Sequence, residues 1–324
     1  MSATCPDSSK LPFSCQCFDF IGGGVEIELA CSGASLEELI EALQFIDSSA
    51  RLQVQLNRMS LQTLPSRIFV GWNVVKLEIA ECDLVSLAEQ TDQPSKLDLS
   101  HLRRLRELDL SFNAITELSN DWFSRGPDTL SDLVLSNNGI EKLGDWAFAN
   151  LINIRLLWLD GNRFGPIKRS MLPNPALWLE NLQLDNNAFS FVPEDMFSKM
   201  PALTDISLVN NGILHLPETT YESIWSQLMT FDIRENPIEC DSHIEWIIEA
   251  ESDVDVSVDK FTSVARVGVR VAHGTLFKTL EEGPCRLKSH DILPDRPNYR
   301  PIRTDWQQAT VDSRRQRVFF RSQG

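Results

Sequence analysis

Hydrophobic and polar positions follow one frame along the middle of the chain, L-x-x-L-x-L-x-x-N-x-L, which recurs eight times between Arg51 and Asn236. The copies start 23 to 25 residues apart, apart from one interval of 31. The fourth and sixth positions are apolar and alternate with polar residues, as in Leu108 and Leu110. This period of two predicts a short strand with one buried face. Because no copy can bury its apolar face alone, we expect the copies to stack.

The ninth position of the frame carries an amide in six copies. These amides are Asn113, Asn138, Asn162, Asn187, Asn211 and Asn236. An amide can donate and accept at once, so it can satisfy backbone groups where the chain turns out of the strand. We therefore expect a ladder of buried amides. The first two copies have Met59 and Cys82 at this position, and Cys82 is predicted to be a buried free thiol.

The frame and its period resemble those of leucine-rich-repeat proteins. That resemblance implies an α/β fold, a curved solenoid of about eight repeats with a parallel concave sheet and a cap at each end. The chain then divides into an N-terminal cysteine cap at 1–50, repeats at 51–235, a C-terminal cap at 236–285 and a basic tail at 286–324. The tail is rich in Arg and Pro, which predicts an extended segment.

Seven cysteines fit this division, because six of them flank the repeats. Short caps with little core are commonly held by disulfides in oxidising compartments, and reduced structural cysteines of a cytosolic protein are the alternative. The first four cysteines resemble the N-terminal cap of extracellular leucine-rich-repeat proteins, whose pairing implies Cys5–Cys17 and Cys15–Cys31. The run Asn236-Pro237-Ile238-Glu239-Cys240 resembles the start of their C-terminal cap. Ser242 stands where that family has a second cysteine, which leaves one bridge, Cys240–Cys285.

A narrower resemblance concerns the partner. The start Cys5-Pro6-Asp7, the Cys15-Gln16-Cys17 run, the single C-terminal bridge and the length resemble a group of secreted arthropod leucine-rich-repeat proteins. That group includes the non-catalytic subunit of the secreted luciferase of decapod shrimp. The resemblance implies a non-catalytic subunit that holds a small catalytic partner in a hetero-oligomer. A free-standing extracellular receptor, or a matrix or immune recognition protein, is the alternative.

Charge and hydropathy narrow the class of partner. The net charge is −16, although residues 286–324 carry nine Lys or Arg and four Asp, so the rest of the chain is strongly acidic. Such a body repels phosphates, and we expect no nucleic-acid partner.

No stretch of the sequence reaches the ~18 apolar residues of a membrane span. The start at Met1 has no charged and apolar leader, so we expect a mature secreted chain with an added initiator Met. The basic run Arg314–Arg317 is either part of a solvated tail or a dibasic processing site.

Outward-pointing strand positions predict where a partner protein binds. Most of these positions are polar or acidic, but the fourth and fifth copies place apolar residues around Trp158, as at an interface hot spot. The predicted binding residues are Phe112, Asp132, Val134, Leu156, Trp158, Asp160, Gln183 and Asp185. Cover by a loop or the tail of the same chain, and chance exposure, are the alternatives. Four other tryptophans fall on the convex side or its turns, where packing is expected: Trp72, Trp122, Trp146 and Trp225.

Catalytic signatures are missing from the sequence. It contains no nucleophile elbow, dinucleotide or phosphate-binding glycine loop, or zinc-protease motif. Its five histidines are scattered without metal-ligand spacing, so we expect no metal and no cofactor. Carboxylate pairs can do acid–base chemistry, and a hydrolase that uses the acidic face is the third hypothesis. We expect instead a solvated acidic surface with no pocket to raise the pKa of one carboxylate.

Overall fold

A computed structural model of the chain describes residues 4–20, 24–85, 99, 101–120, 122–124, 126–239, 244, 246–247, 254–258 and 269–271. The strands of this part are β1 Cys15–Asp19, β2 Ile27–Ser32, β3 Arg51–Asn57, β4 Asn73–Ala80, β5 Glu107–Asp109, β6 Glu117–Leu118, β7 Asp132–Val134, β8 Lys142–Leu143, β9 Leu156–Trp158, β10 Asn181–Gln183, β11 Asp205–Ser207, β12 Thr230–Asp232, β13 Asp255–Val258 and β14 Val269–Val271. The helices are α1 Leu36–Gln44 and α2 Glu218–Trp225, with short 3-10 helices at Ser8–Lys10, Ser66–Phe69 and Arg169–Met171.

The described strands form one 12-stranded sheet in the order β1-β2-β3-β4-β5-β7-β9-β10-β11-β12-β13-β14. Pairing is parallel from β2 to β13 and antiparallel at the two ends, where β1 pairs with β2 and β14 pairs with β13. The short strands β6 and β8 pair outside this sheet. Each repeat therefore supplies one strand and returns on the outside, and the structure has the predicted solenoid fold.

The core lies between the sheet and the outer segments. The fourth and sixth residues of the frame are almost inaccessible, for example Leu133 and Leu135 at 0% exposure. Aromatic side chains fill the outer layer, and Phe123 packs against Phe148 with ring centroids 5.7 Å apart. Because successive copies bury the same positions, the apolar core runs continuously from the N-terminal cap to β13.

The amide ladder closes the strand ends. Asn162 is 4% exposed, and its Nδ2 donates to the backbone oxygens of Leu135, Leu159 and Asp160, while its Oδ1 accepts from Ile140 N. Asn187 donates in the same way, but its Oδ1 has no partner among the described residues. The ladder therefore joins neighbouring repeats through backbone groups that would otherwise be buried and unpaired.

Cys82 replaces the ladder amide in the second copy. Its thiol is free and buried, and Sγ donates to the backbone oxygens of Leu56 and Ala80, 3.3 and 3.2 Å away. These carbonyls correspond to two of the three that Nδ2 meets in later copies. Burial raises the pKa of the thiol. The residue therefore stays protonated and acts as a weak donor, as the position in the frame requires.

Additional segments pack at both ends of the repeat region. At the N-terminus the structure contains the disulfides Cys5–Cys17 and Cys15–Cys31. Helix α1 follows, starting with a capping box in which Ser35 and Glu38 bond each other's backbone N–H. At the other end Trp246 stacks on Tyr221 and donates from Nε1 to Leu216 O at 2.7 Å. The predicted Cys240–Cys285 bridge and the tail lie outside the described residues.

Candidate protein-binding face

Three columns of side chains cover the sheet face that lies opposite the core, and we call this surface the concave face. The third residues of the copies form one column, in which Asp132, Leu156 and Asn181 are neighbours. The fifth residues form a second column: Gln55, Glu78, Asp109, Val134, Trp158, Gln183, Ser207 and Asp232. The seventh residues, such as Asp160 and Asp185, form the third. The strand frame therefore places seven of the eight predicted binding residues on one surface.

The centre of the concave face is apolar. Trp158 lies between Val134 and Gln183 in register, and Leu156 is two residues earlier on the same strand. All four side chains are partly exposed. Trp158 Nε1 donates to Asn181 Oδ1 at 2.9 Å, which fixes the orientation of the indole against the sheet. The indole thus presents a held apolar surface, which costs little conformational entropy when a partner binds.

Carboxylates next to this centre bond to the sheet itself. Asp160 accepts from Ser136 Oγ on the neighbouring strand, and Asp185 accepts from Val209 N at 2.8 Å. Asp132 accepts from the hydroxyl of Ser131. These contacts orient the three acids but leave them without a cation among the described residues. The acids therefore contribute fixed negative charge around Trp158.

Phe112 stands apart from the columns. It is the eighth residue of its copy, and in all eight copies this residue has a positive φ. The eight residues are Arg58, Glu81, Phe112, Asn137, Gly161, Asn186, Asn210 and Glu235. The φ of Phe112 is 55° and its side chain is 55% exposed. A bulky residue in the left-handed region is unfavourable, whereas Gly and Asn accept it readily. Phe112 thus lies on the rim of the concave face, exposed and in a conformation that its side chain disfavours.

The expectation of a fully solvated acidic face is wrong. Burial, with smaller effects from the carboxylates of Asp109 and Glu28, raises the pKa of Glu78 to about 7. Burial also raises the pKa of Asp185 to about 6. The pKa values of Asp109 and Asp160 are raised for the same principal reason. Strands about 4.8 Å apart crowd neighbouring side chains, and this removes water that an isolated strand would leave in place.

In the described part of the chain, no group of three or more His, Cys, Asp or Glu side chains is arranged to hold a metal ion. In the same residues, no helix has the length and apolar character needed to cross a bilayer.

Exposed apolar residues also occur outside the concave face. Trp146 is 55% exposed, so the expectation that it packs is wrong, while Trp122 is buried as predicted. Trp178 is 57% exposed beside the exposed Leu177. The repeat frame does not predict the exposure of Trp146, Leu177 or Trp178, because they lie between strands, where the frame does not define which side faces solvent. They offer matched controls for tests of the concave face.

Comparison with known proteins supports the repeat architecture. The family described as leucine rich repeat matches residues 103–164. Tsukushi from Mus musculus is 28% identical over 255 residues, which covers 69% of this chain and 68% of that protein. The Oplophorus-luciferin 2-monooxygenase non-catalytic subunit from Oplophorus gracilirostris is 24% identical over 299 residues, 77% of this chain and 80% of the relative.

A solved structure of a TLR13–ssRNA13 complex shares the fold. It superposes with a TM-score of 0.51 at 20% identity, over 65% of this chain and 32% of that chain. At this identity the likeness concerns the fold alone. The repeat match, the parallel sheet and the amide ladder agree with one another. The chain therefore has the leucine-rich-repeat solenoid fold, with a disulfide-bonded N-terminal cap.

Proposed function

We propose that this chain is a secreted, non-catalytic subunit that holds a partner protein on its concave face, with Trp158 as the central anchor. The observation that carries the proposal is the apolar centre formed by Val134, Leu156 and Trp158 within a polar and acidic sheet face. Interfaces gain most of their binding energy from a few central residues, among which Trp is enriched, surrounded by polar groups that exclude water. The disulfides of the cap favour an oxidising, extracellular compartment.

The finer form of the proposal names a small catalytic subunit as the partner, by analogy with the luciferase relative. That relative is named as non-catalytic, and it aligns with 77% of this chain. The identity is low, and the similarity to Tsukushi equally favours a free-standing recognition protein. A hydrolase on the acidic face gains nothing from these relatives. It would require turnover by the isolated chain that is lost on neutralising Asp132, Asp160 or Asp185.

The test is a pull-down from the secreted fraction of the source organism with the immobilised full chain. Three baits are compared: the unchanged chain, Trp158→Ala, and Trp178→Ala as an exposed tryptophan away from the concave face. We expect a partner to be retained by the first and third baits and lost from the second. A small catalytic protein as the captured chain supports the subunit form, and a monomer without any partner contradicts it.

Thermal unfolding of the same variants separates binding from folding. Trp158→Ala should lower the midpoint by no more than a few degrees, because the side chain is only partly buried. A collapse of stability would show that Trp158 is structural and that the proposed site is wrong. If Trp178→Ala removes the partner and Trp158→Ala does not, the binding surface lies outside the concave face.

A further inference from the structure

The charges of the concave face are almost all of one sign. Across the three columns from β2 to β13, the cations are Lys76 and Arg234, and each is already paired with a carboxylate. Lys76 Nζ lies 2.6 Å from Glu107, and Arg234 Nη2 lies 2.5 Å from Asp232. The other charged residues of these columns are carboxylates: Glu28, Glu78, Asp109, Asp132, Asp160, Asp185, Asp205 and Asp255.

The unpaired carboxylates fall on both sides of the apolar centre. On the N-terminal side, the carboxylates of Glu28 and Glu78 have no hydrogen-bond or ion-pair partner among the described residues, and Asp109 lies beside Glu78. On the other side, two residues past the carboxyl ends of β9 and β10, Asp160 and Asp185 are bonded to sheet hydroxyl or amide groups but not to a cation of the described chain. Trp158 is therefore flanked by two acidic groups, with no positive charge of the described strands to neutralise either one.

Partial burial makes the charged form of these carboxylates unfavourable in the free chain and strengthens their attraction to a cation that binds beside them. Burial raises the pKa of Glu78 to about 7 and that of Asp185 to about 6, so their charged forms are held at a cost. A cation placed beside them favours the charged form, and in a partly desolvated site the attraction exceeds that between exposed ions. Complementary charge also speeds encounter and selects against acidic competitors.

We propose that the partner segment on the concave face is cationic on both sides of an apolar anchor. This inference rests on the proposed function, since it assigns the chemistry of the partner at the same face. The anchor contacts Trp158, Val134 and Leu156, and Lys or Arg side chains contact the Glu78–Asp109 group on one side and the Asp160–Asp185 group on the other. Acidic segments and nucleic-acid phosphates are excluded by charge.

Strand geometry sets the spacing of those cations. Asp109 and Trp158 are two strands apart in one column, and Glu78 and Trp158 are three strands apart. At about 4.8 Å per strand these separations are roughly 10 and 14 Å, which an extended segment covers in about three to four residues. Asp185 lies one strand and two residues away from Trp158. The cations on that side are therefore expected about two to three residues from the anchor.

The probe for the test is a fluorescein-labelled synthetic peptide with a central Phe-Leu pair and two Lys residues three positions away on each side. Its matched peptides replace the Lys residues by Glu, or the Phe-Leu pair by Ser-Gly. Binding to the full chain is measured by fluorescence anisotropy in low and moderate salt. We expect the cationic peptide to bind, to lose affinity about tenfold between the two salt concentrations, and to weaken about tenfold without its anchor. The Glu peptide should not bind.

Variants of the protein locate the charges. Glu78→Gln with Asp160→Asn removes one charge from each acidic group, and we expect about tenfold weaker binding of the cationic peptide. Glu141→Gln with Glu222→Gln removes the same number of exposed charges elsewhere and should change the affinity less than twofold. Equal weakening by both double variants would overturn the proposal, because a diffuse net charge would then explain the binding. Equal binding of the Lys and Glu peptides would also overturn it.

The remaining outcomes separate this inference from the proposed function. If Trp158→Ala abolishes binding while salt and Glu78→Gln with Asp160→Asn have no effect, the concave site stands and the cationic partner is wrong. If Glu78→Gln with Asp160→Asn weakens binding but Trp158→Ala has no effect, Trp158 is not the anchor, and the proposed function is wrong as well. If neutralising Arg314, Arg315 and Arg317 to Gln in the full chain tightens peptide binding at least tenfold, the basic tail competes for the face, and an internal occupant replaces the external partner.

Discussion

The buried amide ladder and the exposed concave face are two polar features of the same repeats, and they differ in how their polar groups are paired. In the ladder one residue type recurs at one position, and Asn162 engages four backbone groups through its single amide. On the concave face the residue changes from copy to copy, and the Glu78 carboxylate has no hydrogen-bond or ion-pair partner among the described residues. A residue type that recurs from copy to copy with its polar atoms paired indicates a structural role. Residues that differ between copies and carry desolvated charges without a counter-ion indicate a binding surface.

The largest effect on stability is expected when a ladder amide is removed. Asn162→Ala leaves the buried Ile140 N–H without an acceptor and removes one of the two donors that each of three carbonyls has. We expect a loss of about 3 kcal/mol in the free energy of unfolding for these four bonds. Asn187→Ala should cost about 1 kcal/mol less, because Asn187 Oδ1 accepts no bond in the described structure. Urea unfolding measures both variants. Equal losses, or a larger loss for Asn187, would contradict the bond-by-bond account of the ladder.

A smaller effect is expected where the ladder already departs from Asn. Cys82→Ala removes two weak thiol bonds and some packing, for an expected loss of about 1 to 2 kcal/mol. The same residue should resist iodoacetamide in the folded chain and react in urea, because it is buried and its thiol pKa is raised. Mass spectrometry of the Cys82 peptide checks this. Labelling of the native chain at this peptide would show that the second rung of the ladder opens to solvent.

On the concave face we expect a substitution to raise the free energy of unfolding, in contrast to the losses expected in the ladder. The raised pKa of Glu78 means that the folded chain keeps its proton up to about pH 7, while the unfolded chain releases it near 4.5. The free energy of unfolding therefore falls as the pH rises through this window. Glu28 from β2 and Glu107 and Asp109 from β5 face this group, with Lys76 on its own strand, paired to Glu107.

Glu78→Gln should therefore stabilise the chain by about 1 kcal/mol at pH 8 and by nothing measurable at pH 4. Thermal unfolding at both pH values gives the result. Glu141→Gln on the exposed outer side serves as the control and should show no such dependence on pH. A loss of stability at pH 8 for Glu78→Gln would mean that Glu78 is a structural group like the ladder amides.

The smallest effect on stability, paired with an effect on binding, is expected at Phe112. Asn tolerates the left-handed backbone better than Phe, so Phe112→Asn should raise the free energy of unfolding by about 0.5 kcal/mol and weaken retention of the partner. Phe191 is 54% exposed against 55% for Phe112, and Phe191→Asn is the matched control. Retention is measured with the pull-down and stability with urea. An unchanged retention for Phe112→Asn would restrict the binding face to the three columns.

Sequence alone determined the features that repeat. The alternation at Leu133 and Leu135 fixed the buried face of each strand, and the Asn and Cys82 positions fixed the ladder, because every copy must satisfy the same backbone turn. The same frame placed Trp158, Val134 and Leu156 on one outward surface. These inferences hold because stacked repeats contact only their neighbours, so a local pattern and its period specify the three-dimensional arrangement.

Only the tertiary structure decided the features that depend on unlike neighbours. The raised pKa of Glu78 comes from burial and from carboxylates on other strands, and the exposure of Trp146 and Trp178 comes from the paths between strands. The position of Phe112 at the rim depends on a backbone angle that its own residue type disfavours. A repeating frame records what the copies share, whereas water exclusion and surface charge arise from side chains that differ between copies and meet only after stacking.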